Sequence, residues 1–98
     1  MDSRFYLVAK MTAAENLSAE LLARLKEMVK LSRDEEGCVF YDLHVDLSDS
    51  DCFCFVECWQ SREHWDAHMT TAHVKALLAD EKRLTKGIDI SLLRRIPI

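Results

Sequence analysis

"CVFYDLHVDLSDSDCFCFVECWQ", residues 38–60, alternates with period two in both halves and is interrupted by a polar run. The spacing predicts two strands, 38–47 and 52–60, joined by a turn at "SDSD", residues 48–51. The second strand is apolar on both faces, with Cys52, Cys54, Val56 and Cys58 on one and Phe53, Phe55 and Trp59 on the other. Such a strand must be covered from both sides, whereas a strand with one wet face would place polar residues at every second position.

Outward from this hairpin, "RFYLVAKMT" (4–12) also alternates and forms the first strand. From Leu17 the period changes to that of an amphipathic helix. Leu17, Leu21, Leu25, Met28 and Ser32 lie along one side, Leu22 and Val29 flank them, and Gly37 is the expected stop. After the hairpin, Ser61 offers a side-chain cap and Glu63 suits the first turn of a short helix. Thr70 or Thr71 re-caps a second helix over 72–85, buried through Val74, Leu77, Leu78 and Leu84 and closed by Gly87. "IDISLLRRI" (88–96) is the fourth strand. The order is β-α-β-β-α-β with the last helix broken, which predicts an α+β, ferredoxin-like split βαβ fold with a four-stranded antiparallel sheet. Helices on one face leave the other open. A second sheet from an identical chain is the economical cover, so the expectation is a homodimer whose sheets pack face to face.

Ninety-eight residues with 49% hydrophobic content suit one domain over 1–98, able to bury roughly 60 to 70% of its unfolded surface. The formal charge of -4, with basic residues scattered among acids, provides no electrostatic footprint for nucleic acid. No segment approaches the ~20 apolar residues of a membrane span, and "MDSRFYLVAK" does not read as a leader, so a cytoplasmic protein is expected. Only Gly37 and Gly87 are glycine, so neither a dinucleotide fingerprint nor a P-loop can be written. Cys52, Cys54 and Cys58 stand two and four apart in a strand, and same-face neighbours about 6.6 Å apart do not share one metal as thiolates. They are read, with Cys38, as buried thiols. "DLSDSDCFCFVE" (46–57) imitates a calcium loop in its ends only, because Asp51 replaces the turn glycine and the second half alternates as a strand.

Chemistry concentrates in "ECWQSREHWDAHMTTAH", residues 57–73. His64 and His68 are four apart, yet His73, Glu57 and Asp66 need not join them, and Asp66 lies on a different helical face, so no metal is expected. Trp65, His68 and Met69 share a face that turns His68 toward the sheet. Two readings of His68 stand: a base in a cavity, or a core histidine bonded to a backbone carbonyl or to Glu57. His73 is either a site residue or a capping one. Glu57, between Phe55 and Trp59, must be paired or raised in pKa. Asp42 and His44, read in phase with Cys38 and Phe40, belong to a cavity or, preferably, to the dimer seam.

"EEGCVFY" (35–41), together with the frames E-x-W-x-S (57–61) and H-x-x-T-x-H (68–73), resembles the antibiotic biosynthesis monooxygenase family and within it the quinol monooxygenase-like group. The resemblance spans almost the whole chain. It implies a dimeric α/β barrel with an apolar pocket in each subunit and, in the family's oxygenases, attack of O2 on an electron-rich aromatic without flavin, haem or metal. On that basis the catalytic residues expected are His68, as base, and Glu57, orienting it, with Phe55, Trp59, Trp65 and His73 around the substrate. The family's haem-degrading branch uses an asparagine on the first strand, and "FYLVAKM" has none. A non-redox isomerase and a non-catalytic binding dimer are the competing functions, because a scaffold does not fix its chemistry.

Overall fold

Residues 3–98 are described by a computed structural model, in which the two periodicities of the sequence become four strands and three helices. These are β1 (Phe5–Ala13), α1 (Ser18–Arg33), β2 (Cys38–Asp46), β3 (Asp49–Trp59), α2 (Arg62–His68), α3 (Ala72–Leu84) and β4 (Thr85–Leu93). The strands form one antiparallel sheet in the order β2-β3-β1-β4. This is the ferredoxin-like α+β arrangement expected from the element order.

Register assigns the faces. Leu7 pairs with Glu57, Ala9 with Phe55 and Met11 with Phe53, while Tyr41 lies across from Glu57 on the other side of β3. Their side chains form one face, packed with Leu21, Leu25 and Met28 of α1 and Val74, Leu77 and Leu84 of α3 into the core. The opposite face carries Tyr6, Val8 and Lys10 in register with Cys58, Val56 and Cys54, and β2 adds Phe40, Asp42 and His44. Among the described residues no helical segment packs there, so Leu93 on β4 stays half exposed and His44 is exposed.

Several local expectations need correction. The hairpin turns at residues 47–48 rather than at 48–51. Asp46 pairs with Asp49, and the Asp46 carboxylate accepts the Ser48 amide at 2.7 Å, an Asx turn that satisfies the tight reversal and leaves Leu47 fully exposed. Cys38 is out of phase with Phe40. A register shift between them puts Cys38 across from Trp59 and against the core, while Phe40, Asp42 and His44 take the open face. Helix α1 stops at Arg33, four residues before Gly37. That glycine, with φ +84°, leads into β2: its carbonyl accepts the Gln60 amide at 2.8 Å, and a Cβ there would collide with the His64 ring. Gly87 does not close α3, which ends at Leu84. It lies inside β4 at a register irregularity between Met11 and Ala13. Leu78 is half exposed rather than buried, at the open edge of the helical layer.

Candidate active site

Two side-chain caps place the histidines. Ser61, in extended conformation, accepts the His64 amide to start α2, and its Oγ also lies 2.7 Å from His64 Nδ1. His64 is thereby tied to the cap and packed on Gly37, not turned toward His68. Helix α2 ends after seven residues at His68. Thr71 then re-starts the chain: its Oγ1 accepts from Val74 N and donates to the His68 carbonyl at 2.7 Å. This break brings the rings of His68 and His73 to 5.9 Å between centroids, although they belong to different helices.

Both histidines meet a carboxylate that sequence reasoning did not select. Glu35, in the turn between α1 and β2, has Oε2 at 2.7 Å from His68 Nδ1 and 2.8 Å from His73 Nε2. A carboxylate oxygen in contact with two ring nitrogens accepts from both, so His68 carries its proton on Nδ1 and Nε2 keeps the lone pair. The orienting role expected of Glu57 therefore falls to Glu35. The "EEGC" run within the family-like motif was the available signal, but its 33-residue separation from His68 hides the contact.

Glu57 is bound differently. Its Oε1 accepts the indole N–H of Trp59 at 2.9 Å, and the Trp59 ring packs on His68 at 4.7 Å with planes 38° apart. Tyr41 approaches His68 at 5.7 Å and Phe55 at 4.8 Å. Trp59 is wholly buried and stands behind His68, so it does not line the cavity between sheet and helices. That cavity holds about 60 Å³, and its walls are apolar side chains except for Glu57, His68 and Tyr41. Phe55 and Trp65 belong to its lining, while Leu78 and Ile90, both half exposed, stand at its rim. Trp65 is braced by Phe5 edge-on at 5.8 Å and by the Arg62 guanidinium at 5.1 Å. His73 lines a separate groove between α1 and α3 and reaches His68 through Glu35.

Burial sets the electrostatics. The Glu57 carboxyl is pushed up to about 7, first by loss of solvent and then by repulsion from Glu35, against the opposing Trp59 hydrogen bond. Burial lowers the His68 pKa; the hydrogen bond and charge of Glu35 oppose that, and His73 adds to it. Near neutral pH the cavity thus holds an imidazole in its unprotonated, proton-accepting form and a carboxyl poised between its two states. Burial raises the Tyr41 hydroxyl far above its ordinary value, which keeps it protonated.

Residues 4–80 match the family described as antibiotic biosynthesis monooxygenase. The Bacillus subtilis protein named "Putative monooxygenase YcnE" is 32% identical over 65 residues, which span 66% of this chain and 68% of that one. The crystal structure of PA3566 from Pseudomonas aeruginosa superposes with a TM-score of 0.93 at 32% identity, covering 99% of this chain and 98% of the other. Rv0793 from Mycobacterium tuberculosis, at 23% identity over 98% of each chain, has the same fold with a TM-score of 0.91.

Proposed function

The chain belongs to the antibiotic biosynthesis monooxygenase family, and from that premise we propose that it inserts one atom of O2 into a hydroquinone or polyphenol without a resident cofactor. The observation that carries this reading is the apolar cavity closed against two proton-handling groups, Glu57 and His68, with His68 held by Glu35. The substrate supplies the electrons. His68 Nε2 takes a phenolic proton, the phenolate passes one electron to O2, and the resulting pair combines at a ring carbon as a hydroperoxide. Cleavage of its O–O bond leaves one oxygen on the ring and releases the other as water. A hydroquinone plus O2 thus becomes a hydroxyquinone plus water, which balances without an external reductant.

A phenol of pKa about 10 facing an imidazole that burial holds below its ordinary 6.5 leaves an uphill transfer of more than about 5 kcal/mol. The dry pocket must offset it by coupling proton loss to electron loss. Glu57, near its midpoint at neutral pH, is the second carrier that can return a proton to the departing hydroxide. Phe55 and Trp65 face the aromatic substrate, while Trp59 and His73 hold the acid–base groups in place. The cavity is smaller than the ~150 Å³ that accommodates a benzene ring, so substrate enters by parting Leu78 and Ile90 at the rim.

The test is oxygen uptake by chelator-treated protein with a panel of hydroquinones, using heat-treated protein as the blank. Saturable uptake of one O2 per hydroquinone is expected. Absence of uptake across the panel rejects the oxygenase, and product formed equally well without oxygen moves Glu57 and His68 to a proton-shuttling isomerase.

The open sheet face belongs to the same reading. Tyr6, Val8, Val56 and Leu93 line a shallow apolar depression on it, and the family resemblance gives a second copy as the cover. Light scattering is expected to return twice the 11.3 kDa of one chain, and Val56→Lys is expected to reduce that to the monomer. A parent protein of 11.3 kDa at micromolar concentration rejects the dimer. Among the described residues no helix is long and apolar enough to cross a membrane. A reducing, cytoplasmic setting suits Cys38, Cys52 and Cys54, thiols that form no disulfide.

A further inference from the structure

We propose that Glu35, His68 and His73 form a three-ligand site for one divalent transition-metal ion of the zinc class, and that the ion reverses the tautomer of His68. One donor atom from each residue, a carboxylate oxygen and two imidazole nitrogens, lies within 4.8 Å of the other two. Three protein ligands of this kind are the set at which zinc keeps an open fourth position. Two nitrogens and one oxygen favour zinc, cobalt or nickel over calcium and magnesium, which take oxygen ligands.

The present contacts of 2.7 and 2.8 Å are hydrogen bonds. Ligand atoms about 2.0 to 2.1 Å from a tetrahedral ion stand about 3.3 Å apart, so an entering ion spreads the two Glu35–histidine pairs by roughly half an ångström and brings the two ring nitrogens, now within 4.8 Å, to a similar separation. The three side chains come from separate pieces of chain: the α1–β2 turn, the end of α2 and the start of α3. A movement of that size needs only small rotations of side chains that no single helix locks together. Access is through the groove between α1 and α3, about 380 Å³, which His73 lines beside Glu20 and Glu27.

Coordination through Nδ1 of His68 displaces the proton now shared with Glu35. A neutral imidazole then carries its proton on Nε2. The lone pair that the proposed oxygenation uses is lost, so an occupied site is a resting form of the enzyme. That last consequence rests on the oxygenase reading; the metal site and the tautomer do not.

The experiment uses the full chain after chelator treatment, titrated with Co(II) while visible absorption is recorded. One equivalent is expected to produce the ligand-field bands of a bound ion, and Zn(II) to displace them. His73→Ala and Glu35→Gln, checked for folding by circular dichroism, are expected to weaken binding at least about tenfold, since even outer-shell losses cost 10- to 100-fold. His64→Ala is expected to bind like the parent. In a Zn(II)-loaded sample, ¹⁵N spectra are expected to move the His68 ring proton from Nδ1 to Nε2. Absence of bands, affinity indifferent to His73→Ala, or a ring that keeps its proton on Nδ1 overturns the proposal. None of these readouts uses turnover, so this site and the oxygenase reading stand or fall separately.

Discussion

Glutamine in place of His68 is expected to reduce oxygen uptake on any accepted hydroquinone by about a hundred- to ten-thousand-fold, with little change in KM. That range is the usual contribution of one positioned general base. The reasoning is geometric. Glu35 binds Nδ1 at 2.7 Å, Trp59 packs against one side of the ring at 4.7 Å, and the side chain is only 4% exposed. His68 therefore has one orientation, with Nε2 as its basic atom. Glutamine fills similar space and can still donate to Glu35, but it offers no basic nitrogen. Circular dichroism and the thermal midpoint are read alongside, because an unpaired Glu35 would also lower stability. Uptake within a few-fold of the parent, from a folded variant, would remove His68 from the chemistry.

Glu57→Gln is expected to stabilise the protein on the alkaline side. The carboxyl has a folded-state pKa of about 7 against an ordinary value of 4.5. Below pH 4.5 it is protonated in both states and burial costs it little. As pH rises from 4.5 toward 7, the unfolded chain ionises while the folded one holds its proton, so stability falls with pH. Above pH 7 the folded protein carries a buried carboxylate, at a cumulative cost of about 3 kcal/mol. Glutamine keeps an oxygen for the Trp59 indole and cannot ionise. The difference in unfolding free energy between variant and parent should therefore shift by about 3 kcal/mol in favour of the variant between pH 4 and pH 8. Urea unfolding at four or five pH values measures it. Parallel curves for the two proteins would show that Glu57 is not raised.

These two residues mark how far local reading reaches. His68 was legible because its helical neighbours Trp65 and Met69 set its face, and helical phase is a matter of three or four residues. Glu57 was legible because the strand's alternation put it between Phe55 and Trp59, two aromatics that belong in a core. Glu35 was missed as a site residue. Its contact with His68 spans the whole β2–β3 hairpin and α2, and nothing in the turn "DEEG" says which of its acids points inward. The sequence shows the aromatic character of Trp59 but not its depth; with Tyr41 and His68 packed against its ring, it is sealed behind the cavity lining.

From the sequence alone follow the fold class, the element order, a break between α2 and α3 at Thr70 or Thr71, the family and the faces of β1 and β3. All are periodicities, caps or motifs written within a few consecutive residues. The tertiary structure decided the partners. It moved Cys38 to the core through a one-residue register shift, assigned Glu57 to Trp59, and joined Glu35 to two histidines on separate helices. Hydrogen bonds form between whichever donors and acceptors packing brings within about 3 Å, and that proximity comes from sheet register and helix docking across tens of residues.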